Sequence, residues 1–442
     1  MSLKIEKPKN PNYCGTVVKI EKLQTLAGCD NVVAAIIFSN SVIVGKDTKE
    51  GDIGLFFPVE TQLSDEFLHN NNLYRHEELN KDTTKKGYFE DNRRIKLAKF
   101  RGHKSEGFFI PINSLSYLLS KDELDSLKAG TDFDIINKHE ICRKYYVKIS
   151  EPNEPLSKSE KKKKKDKQNK ILDGQYRLHF DTENLDKNVY KLTPDDIISV
   201  GQKVHGTSFS AGKVLIVKKL SFLERIVKFL KFNIIESEYS LIYSSRKVIK
   251  SFNKGAIHFY NEDIWGIVAK ELENIIPPEI TLYGEICGYL SSGEPIQTCS
   301  EGDFDYGCEK FQHKVYIYRI TSTNYLGQVI EFSWQQVMDF CNKYGLNTPP
   351  LYYYGYAKNM YPNLSITDHW HENFLAALKQ QYITDQDCPL CINKVPFEGI
   401  CLSIDSLYNK NTFKLKTFRF RMKETEQLNK NILDIETSQT IF

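Results

Sequence analysis

The sequence lacks the features that mark membrane-spanning, secreted and repetitive proteins. No apolar run approaches the roughly 20 residues that span a bilayer, no internal repeat occurs, and no charged-then-apolar leader opens the chain. The ten cysteines are scattered without the spacing of a disulfide framework. We therefore expect a reduced, intracellular protein, cytoplasmic or also nuclear, with no membrane partner.

A large excess of one charge is also absent. The 60 Lys and Arg residues nearly balance the 57 Asp and Glu residues. Affinity for nucleic acid must therefore come from local basic patches and not from the chain as a whole. Because 442 residues exceed the usual length of one domain, we expect two domains with sizeable cores. We also expect the protein to be a monomer.

Short apolar runs separated by turn signals fill residues 12–60, a pattern typical of a small β-barrel. Further on, residues 93–102 alternate cations with apolar residues, so that on a strand Arg94 and Lys96 would share one face. That face is either a solvated surface or, together with Arg101, a phosphate-tracking surface of an OB-like barrel. We predict an OB-like domain over residues 1–150.

A polar stretch with five consecutive lysines at 161–165 follows this domain. Its composition makes burial implausible and favours a solvated linker, which we place at residues 151–175. A localisation signal or a nucleic-acid tether is the alternative interpretation of the lysines.

Helical patterns interleave with strand patterns in residues 176–442. An apolar stripe at 261–276 stops at Pro277, Ser333 opens a capping-box helix that Gly345 ends, and a third helix is predicted at 367–382. The predicted class is therefore α+β, with a mixed or antiparallel sheet flanked by helices.

The stretch Lys203-Val204-His205-Gly206 lies between two apolar runs, at 196–200 and 213–217. It predicts a strand, a tight turn and a second strand. Gly206 would let the backbone take a positive φ and approach a phosphate closely. Such a turn suits a nucleophilic lysine at the floor of a pocket.

This stretch resembles motif I of the covalent nucleotidyltransferases, which are the polynucleotide ligases and the mRNA-capping guanylyltransferases. Five further stretches resemble the remaining motifs in the family's order. They are motif Ia at 243–247, motif III at 282–288, motif IIIa at 315–320, motif IV at 397–401 and motif V at 413–417.

Physical reasons support the charged positions of these motifs. Nucleotidyl transfer needs an unprotonated amine, and cations beside Lys203 together with a bound metal would lower its pKa. Lys414 and Lys416 lie two residues apart and would share one strand face, where they could hold the ATP phosphates. Glu398 could hold Mg²⁺ or Mn²⁺ against the α-phosphate, where negative charge accumulates.

The remaining candidate residues would bind the nucleoside and the phosphates. Glu285 would accept from a ribose hydroxyl, Tyr318 would stack on adenine, and Gln202 would address the base edge. Arg246 belongs to the motif Ia match. Arg319 departs from the family pattern, which commonly has Asp at that position.

His205 followed by Gly206-Thr207-Ser208 is similar to RNA ligases, and residues 99–107 and 179–185 resemble the Deinococcus and Naegleria type. The resemblance covers most of the chain and implies an N-terminal OB domain followed by a nucleotidyltransferase domain. It implies an ATP-dependent RNA ligase that forms lysyl-AMP on Lys203, adenylates a 5′-phosphate end and joins it to a 3′-hydroxyl RNA end. Its partner would be RNA or an RNA-containing nicked duplex, as in RNA repair.

Two other functions stay open on the sequence. One is a DNA ligase or a GTP-using capping enzyme, and the other is a non-catalytic nucleic-acid-binding OB protein. The presence of every charged motif residue argues for an active enzyme. The pair Cys388 and Cys391 supplies two of the four ligands of a structural zinc site, so we disfavour zinc there.

Overall fold

The computed structural model describes residues 3–147, 170–251, 259–408 and 410–432. The lysine run at 161–165 and the predicted linker up to residue 169 lie outside the described residues. By its contacts the chain forms two units. The first contains the chain up to Tyr146 together with Glu183–Lys187 and Glu424–Lys430, and the second contains the rest of the described chain. The domain boundaries at 150 and 176 stay a prediction.

Strands make up most of the regular structure. They are β1 (Gly15–Lys19), β2 (Leu23–Thr25), β3 (Val32–Ile37), β4 (Asn40–Gly45), β5 (Ile53–Pro58), β6 (Thr61–Leu63), β7 (Ala98–Phe100), β8 (His103–Ser105), β9 (Gly107–Pro111), β10 (Asp132–Phe133), β11 (Ile135–Ile136), β12 (His139–Glu140), β13 (Cys142–Lys144), β14 (Glu183–Asn184), β15 (Ile197–Gln202), β16 (Thr207–Val217), β17 (Ser237–Ser244), β18 (Ile280–Gly288), β19 (Thr298–Cys299), β20 (Gly302–Asp303), β21 (His313–Thr323), β22 (Val329–Glu331), β23 (Leu351–Tyr356), β24 (Gly399–Ile404) and β25 (Thr412–Lys416).

Helices are fewer and shorter. They are α1 (Asp65–Asn70), α2 (Lys121–Ser126), α3 (Leu185–Asn188), α4 (Phe222–Phe229), α5 (Ile264–Leu272), α6 (Trp334–Tyr344), α7 (Ala357–Met360), α8 (Trp370–Tyr382) and α9 (Phe418–Asn429), with short 3-10 turns at Pro11–Tyr13, Glu77–Leu79, Ile112–Leu115 and Val189–Lys191. No helix within the described ranges is long and apolar enough to cross a membrane.

The first unit is built from antiparallel strands around apolar side chains. β10, β1, β5 and β9 form one sheet in that order, and β2, β3 and β4 form a second. Phe57, Phe67 and Phe133 are buried together, with ring centroids 5.7 to 6.0 Å from Phe57. Aromatic packing of this kind gives the unit its own core.

The basic stretch at 93–102 differs from the prediction. Only Ala98–Phe100 forms a strand, which pairs with β8 through a turn where Arg101 and Gly102 both have positive φ. The Arg94 side chain is buried, contacts Glu60 at 2.9 Å and donates to Asn429. The hypothesis that Arg94 faces phosphates is therefore wrong, because its charge is already compensated inside the unit.

Two antiparallel sheets organise the second unit. One contains β17, β16, β18, β21 and β22 in that order, and the other contains β25, β24, β15 and β23. Helices α5 and α6 cover the first sheet through a shared apolar core that includes Trp265, Leu282 and Val337. The α+β class is confirmed. The chain passes from the second sheet to the first between β15 and β16, which is where Lys203 lies.

The helix predictions hold with shorter bounds at two places. α5 begins after its cap Asp263 and ends before Pro277. Ser333 forms the predicted capping box, and Gly345, with a φ of 65°, ends α6. The third helix begins at Trp370 rather than at residue 367.

Candidate active site

Neighbouring strands bring three charged side chains to one place. Gln202, at the end of β15, lies opposite Ile400 of β24, and the Lys203 amide donates to the Gly399 carbonyl at 2.9 Å. β25 pairs on the other side of β24, with Lys416 opposite Gly399. Lys203 and Lys416 therefore lie on either side of Glu398, which directly precedes β24.

These three residues form an ion-paired group, which we call the charge triad. Lys203 Nζ lies 2.8 Å from Glu398 Oε1, and Lys416 Nζ lies 3.1 Å from the same oxygen. The Glu398 side chain is 2% exposed, whereas those of Lys203 and Lys416 are 22% and 21% exposed. Burial raises the pKa of Glu398, but the two lysines outweigh burial and lower that pKa to about 2.

The charge on Lys203 differs from the prediction. Burial lowers its pKa, the Glu398 carboxylate raises it, Lys416 lowers it, and the net pKa is raised above the ordinary value. Lys416 thus acts in the predicted direction, but the ion pair with Glu398 is stronger. The protein's own charges favour the protonated form of Lys203, so a nucleophilic role for this lysine would require that Glu398 be engaged elsewhere.

The second carboxylate oxygen of Glu398 provides such an alternative. Oε2 is buried and has no hydrogen-bond partner among the described residues. An ionised, half-satisfied carboxylate suits a hard divalent cation such as Mg²⁺. Within the described ranges, no group of three or more His, Cys, Asp or Glu residues could hold a metal. A cation on Glu398 would therefore take its other ligands from phosphate and water oxygens.

Gly206 is required for a different reason from the predicted one. Its φ is not positive. A Cβ at this position would lie 2.1 Å from the Ile286 carbonyl oxygen and 2.7 Å from Cys287 Sγ. The close approach of β18 thus excludes any side chain. Glu285, also on β18, accepts from the Gly206 amide at 3.3 Å and from Ser208 Oγ at 3.4 Å.

Lys414 lies on the same face of β25 as Lys416, as predicted, and stands opposite Cys401 of β24. Burial raises the pKa of Cys401 to about 11, and Lys203 and Lys414 act against that rise. Cys401 therefore lies within the charge field of both lysines. Sequence reasoning assigned it no role, although it lies inside the motif IV match.

A group of rings supports the charge triad from one side. The His205 ring lies edge-on to Phe304 and Phe420, at centroid distances of 4.7 and 4.9 Å, and its amide donates to Tyr306 Oη at 2.6 Å. Lys416 Nζ lies 4.9 Å from the centroid of Phe420. Phe420 thus contacts both His205 and the Lys416 ammonium. No sequence signal pointed to Phe420.

Three predicted residues have other partners in the structure. The Gln202 amide lies 3.4 Å from Cys388 Sγ and from the Tyr352 hydroxyl. The Tyr318 ring lies edge-on to His179 at 5.7 Å.

Arg246 contacts Asp181 at 2.7 Å. Both His179 and Asp181 come from the stretch at 179–185, which carried the resemblance but received no role. The structure therefore connects Tyr318 and Arg246 through a segment that the motif matches omitted.

The family model for RNA ligases matches residues 196–416, which is half of the chain. A comparison with curated proteins finds no match. Among solved structures, a mutant of Naegleria gruberi RNA ligase with AMP and Mn is similar, with a TM-score of 0.52 and 16% identity over 92% of this chain and 98% of that one.

Two further structures of that enzyme agree. A mutant with ATP and Mn has a TM-score of 0.53 and 16% identity over 92% of this chain and 98% of that one. The enzyme with PPi has a TM-score of 0.52 and 16% identity over 93% and 98%. At this identity the similarity establishes the fold. The predicted OB-like barrel followed by a ligase-type nucleotidyltransferase domain is confirmed.

Proposed function

The chain belongs to the RNA ligase family, and from this premise we propose that it uses ATP to join a 3′-hydroxyl RNA end to a 5′-phosphate end through a Lys203–AMP intermediate. Its substrates are nicked duplexes that contain RNA, and its role is RNA repair. The charge triad is the observation that carries this proposal, since Lys203 Nζ and Lys416 Nζ lie 2.8 and 3.1 Å from the same oxygen of the buried Glu398 carboxylate.

Three transfers follow from this assignment. Lys203 Nζ, once deprotonated, attacks the α-phosphate of ATP, so that a P–N bond forms and pyrophosphate leaves. A 5′-phosphate oxygen then attacks the same phosphorus and displaces the lysine. The 3′-hydroxyl finally attacks the 5′-phosphate, and AMP leaves. Each step exchanges one bond to phosphorus for another.

The chain's own groups prepare the first transfer. Glu398 holds the Lys203 amine beside the phosphate site, and Lys414 and Lys416 offer cations on one face of β25 for the triphosphate. When Mg²⁺ or Mn²⁺ is bound, it supplies Lewis-acid stabilisation of the charge on the α-phosphate. Glu398 is the residue that would hold this cation, and its carboxylate would then stabilise the protonated amine of Lys203 less than it does in the ion pair.

The nucleoside contacts belong to the same proposal. Glu285 accepts hydrogen bonds from the Gly206 amide at 3.3 Å and from Ser208 Oγ at 3.4 Å, and its carboxylate is proposed to accept from a ribose hydroxyl. Tyr318, Gln202 and Arg246 are proposed to contact adenine, its edge and the phosphates. The Naegleria gruberi enzyme with ATP, AMP or PPi supports nucleotide binding on this fold.

Labelling with ATP that is radioactive at the α-phosphate tests the nucleophile. The wild type should retain label on a denaturing gel, whereas Lys203→Ala should not, because the adduct needs the amine. Lys343→Ala, which removes an exposed lysine at the end of α6, should label like the wild type. Undiminished labelling of Lys203→Ala would overturn the assignment.

Pre-adenylated nicks test the later steps. Lys203→Ala should still join them, since the lysine nucleophile is no longer needed. A panel in which the 3′-hydroxyl strand is RNA or DNA then identifies the substrate. If the enzyme joined nicks with a DNA 3′-hydroxyl strand better than those with an RNA strand, it would act as a DNA ligase and the proposal would be wrong.

A further inference from the structure

The hairpin formed by β16 and β17 ends in an exposed apolar segment, which no hydrophobic core of the described residues covers. We define residues 218–236, which connect the two strands, as the hairpin tip; it contains α4. Eight of the 27 bulky apolar residues that are exposed in the described chain fall within this tip. They are Phe222, Leu223, Ile226, Val227, Phe229, Leu230, Phe232 and Ile235.

Helical spacing sorts the side chains of α4 into two faces. Phe222, Ile226 and Phe229 follow one another at intervals of four and three residues and share a face, which Arg225 borders, whereas Lys228 lies away from that face. Phe222 is 76% exposed and Phe229 is 86% exposed. No residue of α4 is buried. Among the described residues, the apolar face of α4 therefore packs against no hydrophobic core.

The charges of the tip are complementary to an anionic surface. Both acidic residues are already ion-paired, Glu224 with Lys218 at 2.5 Å and Glu236 with Lys228 at 2.6 Å. Three further charged residues, Lys219, Arg225 and Lys231, are cations without an ion pair among the described residues. Glu238, the next acid along the chain, lies on β17 and acts on Lys218. The uncompensated charge of the tip is positive.

The tip lies far from the charge triad. β18 pairs with β16 only over residues 207–212, so the outer part of the hairpin extends beyond β18. The eleven residues of β16 span about 35 Å at the usual rise of a strand. The tip is therefore outside the catalytic site, and its substitution should leave nucleotide chemistry unchanged.

We propose that the hairpin tip is an anchor for anionic membrane surfaces. Its apolar side chains would enter the boundary between headgroups and acyl chains, and its cations would contact acidic headgroups. A lipid surface fits better than a protein groove, because apolar residues continue past α4 to Phe232 and Ile235 rather than forming one stripe. Aliphatic residues at five of these eight positions also disfavour nucleic acid, which would require stacking and phosphate contacts.

This proposal revises the expectation of no membrane partner. That expectation rested on the absence of a spanning run, but an interfacial helix lies in the plane of the membrane surface and needs no such run.

Sedimentation of the full chain with vesicles tests the anchor. The wild type should bind vesicles of equal parts phosphatidylcholine and phosphatidylserine, and bind much less to phosphatidylcholine alone. Phe222→Ser combined with Phe229→Ser should weaken binding at least about tenfold. Each of Lys219→Ala and Lys231→Ala should weaken it about fivefold, an effect that salt should abolish.

Tyr325→Ser combined with Leu326→Ser is the matched control, since it removes two exposed apolar residues (71% and 64% exposed) from another turn. It should bind vesicles like the wild type, and every variant should take label from ATP equally, which shows that the fold is intact. Equal vesicle binding by the wild type and the Phe222, Phe229 variant would overturn the anchor. So would a wild type that ignores vesicles but forms a dimer in light scattering that the same variant abolishes, because the tip would then bind a second copy.

Discussion

At the scale of single residues, the Glu398 carboxylate pairs with both lysines of the charge triad and raises the pKa of Lys203. Glu398 stabilises the protonated form of Lys203 and also offers a free oxygen to a cation. The same ion pair holds Lys203 in place and favours its protonated form. Under the proposed function, a cation on Glu398 would compete with the Lys203 ammonium, so activation of the lysine would be coupled to ligand binding.

The lowered pKa of Glu398 predicts a specific loss of stability in acid. Its folded pKa of about 2 lies below the ordinary 4.5, so the ion pairs stabilise the fold fully above about pH 4.5 and are lost as the pH falls toward 2. The difference is worth about 3 kcal/mol. Urea unfolding should show that Glu398→Gln loses less free energy of unfolding on acidification than the wild type does. Glu309→Gln, at an exposed position, should follow the wild type, and parallel curves for all three proteins would contradict the prediction.

The two lysines of β25 should differ in their effect on pH dependence. Lys416 lowers the pKa of Lys203, so Lys416→Met should raise that pKa and move the adenylation optimum to higher pH. Labelling near neutral pH should fall at least about tenfold, which corresponds to about 1.4 kcal/mol of transition-state stabilisation. Lys414→Met should lower the rate with a smaller shift of the optimum. Rates equal to the wild type in both variants, at neutral and alkaline pH, would show that neither lysine serves the reaction.

At the scale of elements, the short hairpin of β7 and β8 takes the place of the predicted basic strand. Lys99 and Lys104 stand opposite each other on it and are exposed, whereas Arg94 is buried before it begins. Cations and apolar residues alternate over the whole of residues 93–102, but the strand covers only Ala98–Phe100.

This hairpin predicts two separable effects on nucleic-acid binding and stability. Lys99→Ala and Lys104→Ala should each reduce the salt slope of nicked-duplex binding by about one unit, if each lysine meets a phosphate. Arg94→Met should leave that slope unchanged but cost about 3 kcal/mol of stability, because the half-buried Glu60 loses the cation that compensates its charge. Binding isotherms over a salt series and thermal unfolding measure the two effects. An altered salt slope in Arg94→Met would return this residue to the nucleic-acid surface.

At the scale of the whole molecule, sequence order and structural units do not coincide. Residues Glu424–Lys430 belong to the first unit although they lie near the end of the described chain. Within that unit Thr425 Oγ1 donates to Glu60 at 3.1 Å, and Arg94 donates to Asn429. The first unit therefore includes residues that lie outside residues 1–150.

Asn429→Ala should consequently destabilise the first unit. Loss of an acceptor for a buried guanidinium costs about 1.5 to 3 kcal/mol, and hydrogen exchange at β6, which bridges to Arg94 through Gln62, should accelerate. Fluorescence of Trp265, Trp334 and Trp370, all in the second unit, should not change. Lys430→Ala, at an exposed neighbouring position, is the control. Unchanged exchange in β6 would show that Asn429 contributes nothing to the first unit.

Local rules were sufficient for several features of this protein. The α+β class, the strand and turn around Lys203, the capped helix α6 and the shared face of Lys414 and Lys416 all follow from periodicity, capping and turn chemistry. These properties depend on residues within a few positions of one another. The order of the motif matches along the chain then indicated the family.

Only the tertiary structure decided how those parts act on one another. Whether Lys203 is charged depends on the balance of burial, Glu398 and Lys416, and no periodicity contains a distance between separate strands. Position 206 requires glycine because the carbonyl of Ile286, on another strand, leaves no room for a side chain. Arg94 can be buried because its guanidinium contacts Glu60 and Asn429, which are distant in the sequence. Side-chain alternation determines the face on which a residue lies, whereas the packing of distant segments determines what it meets there.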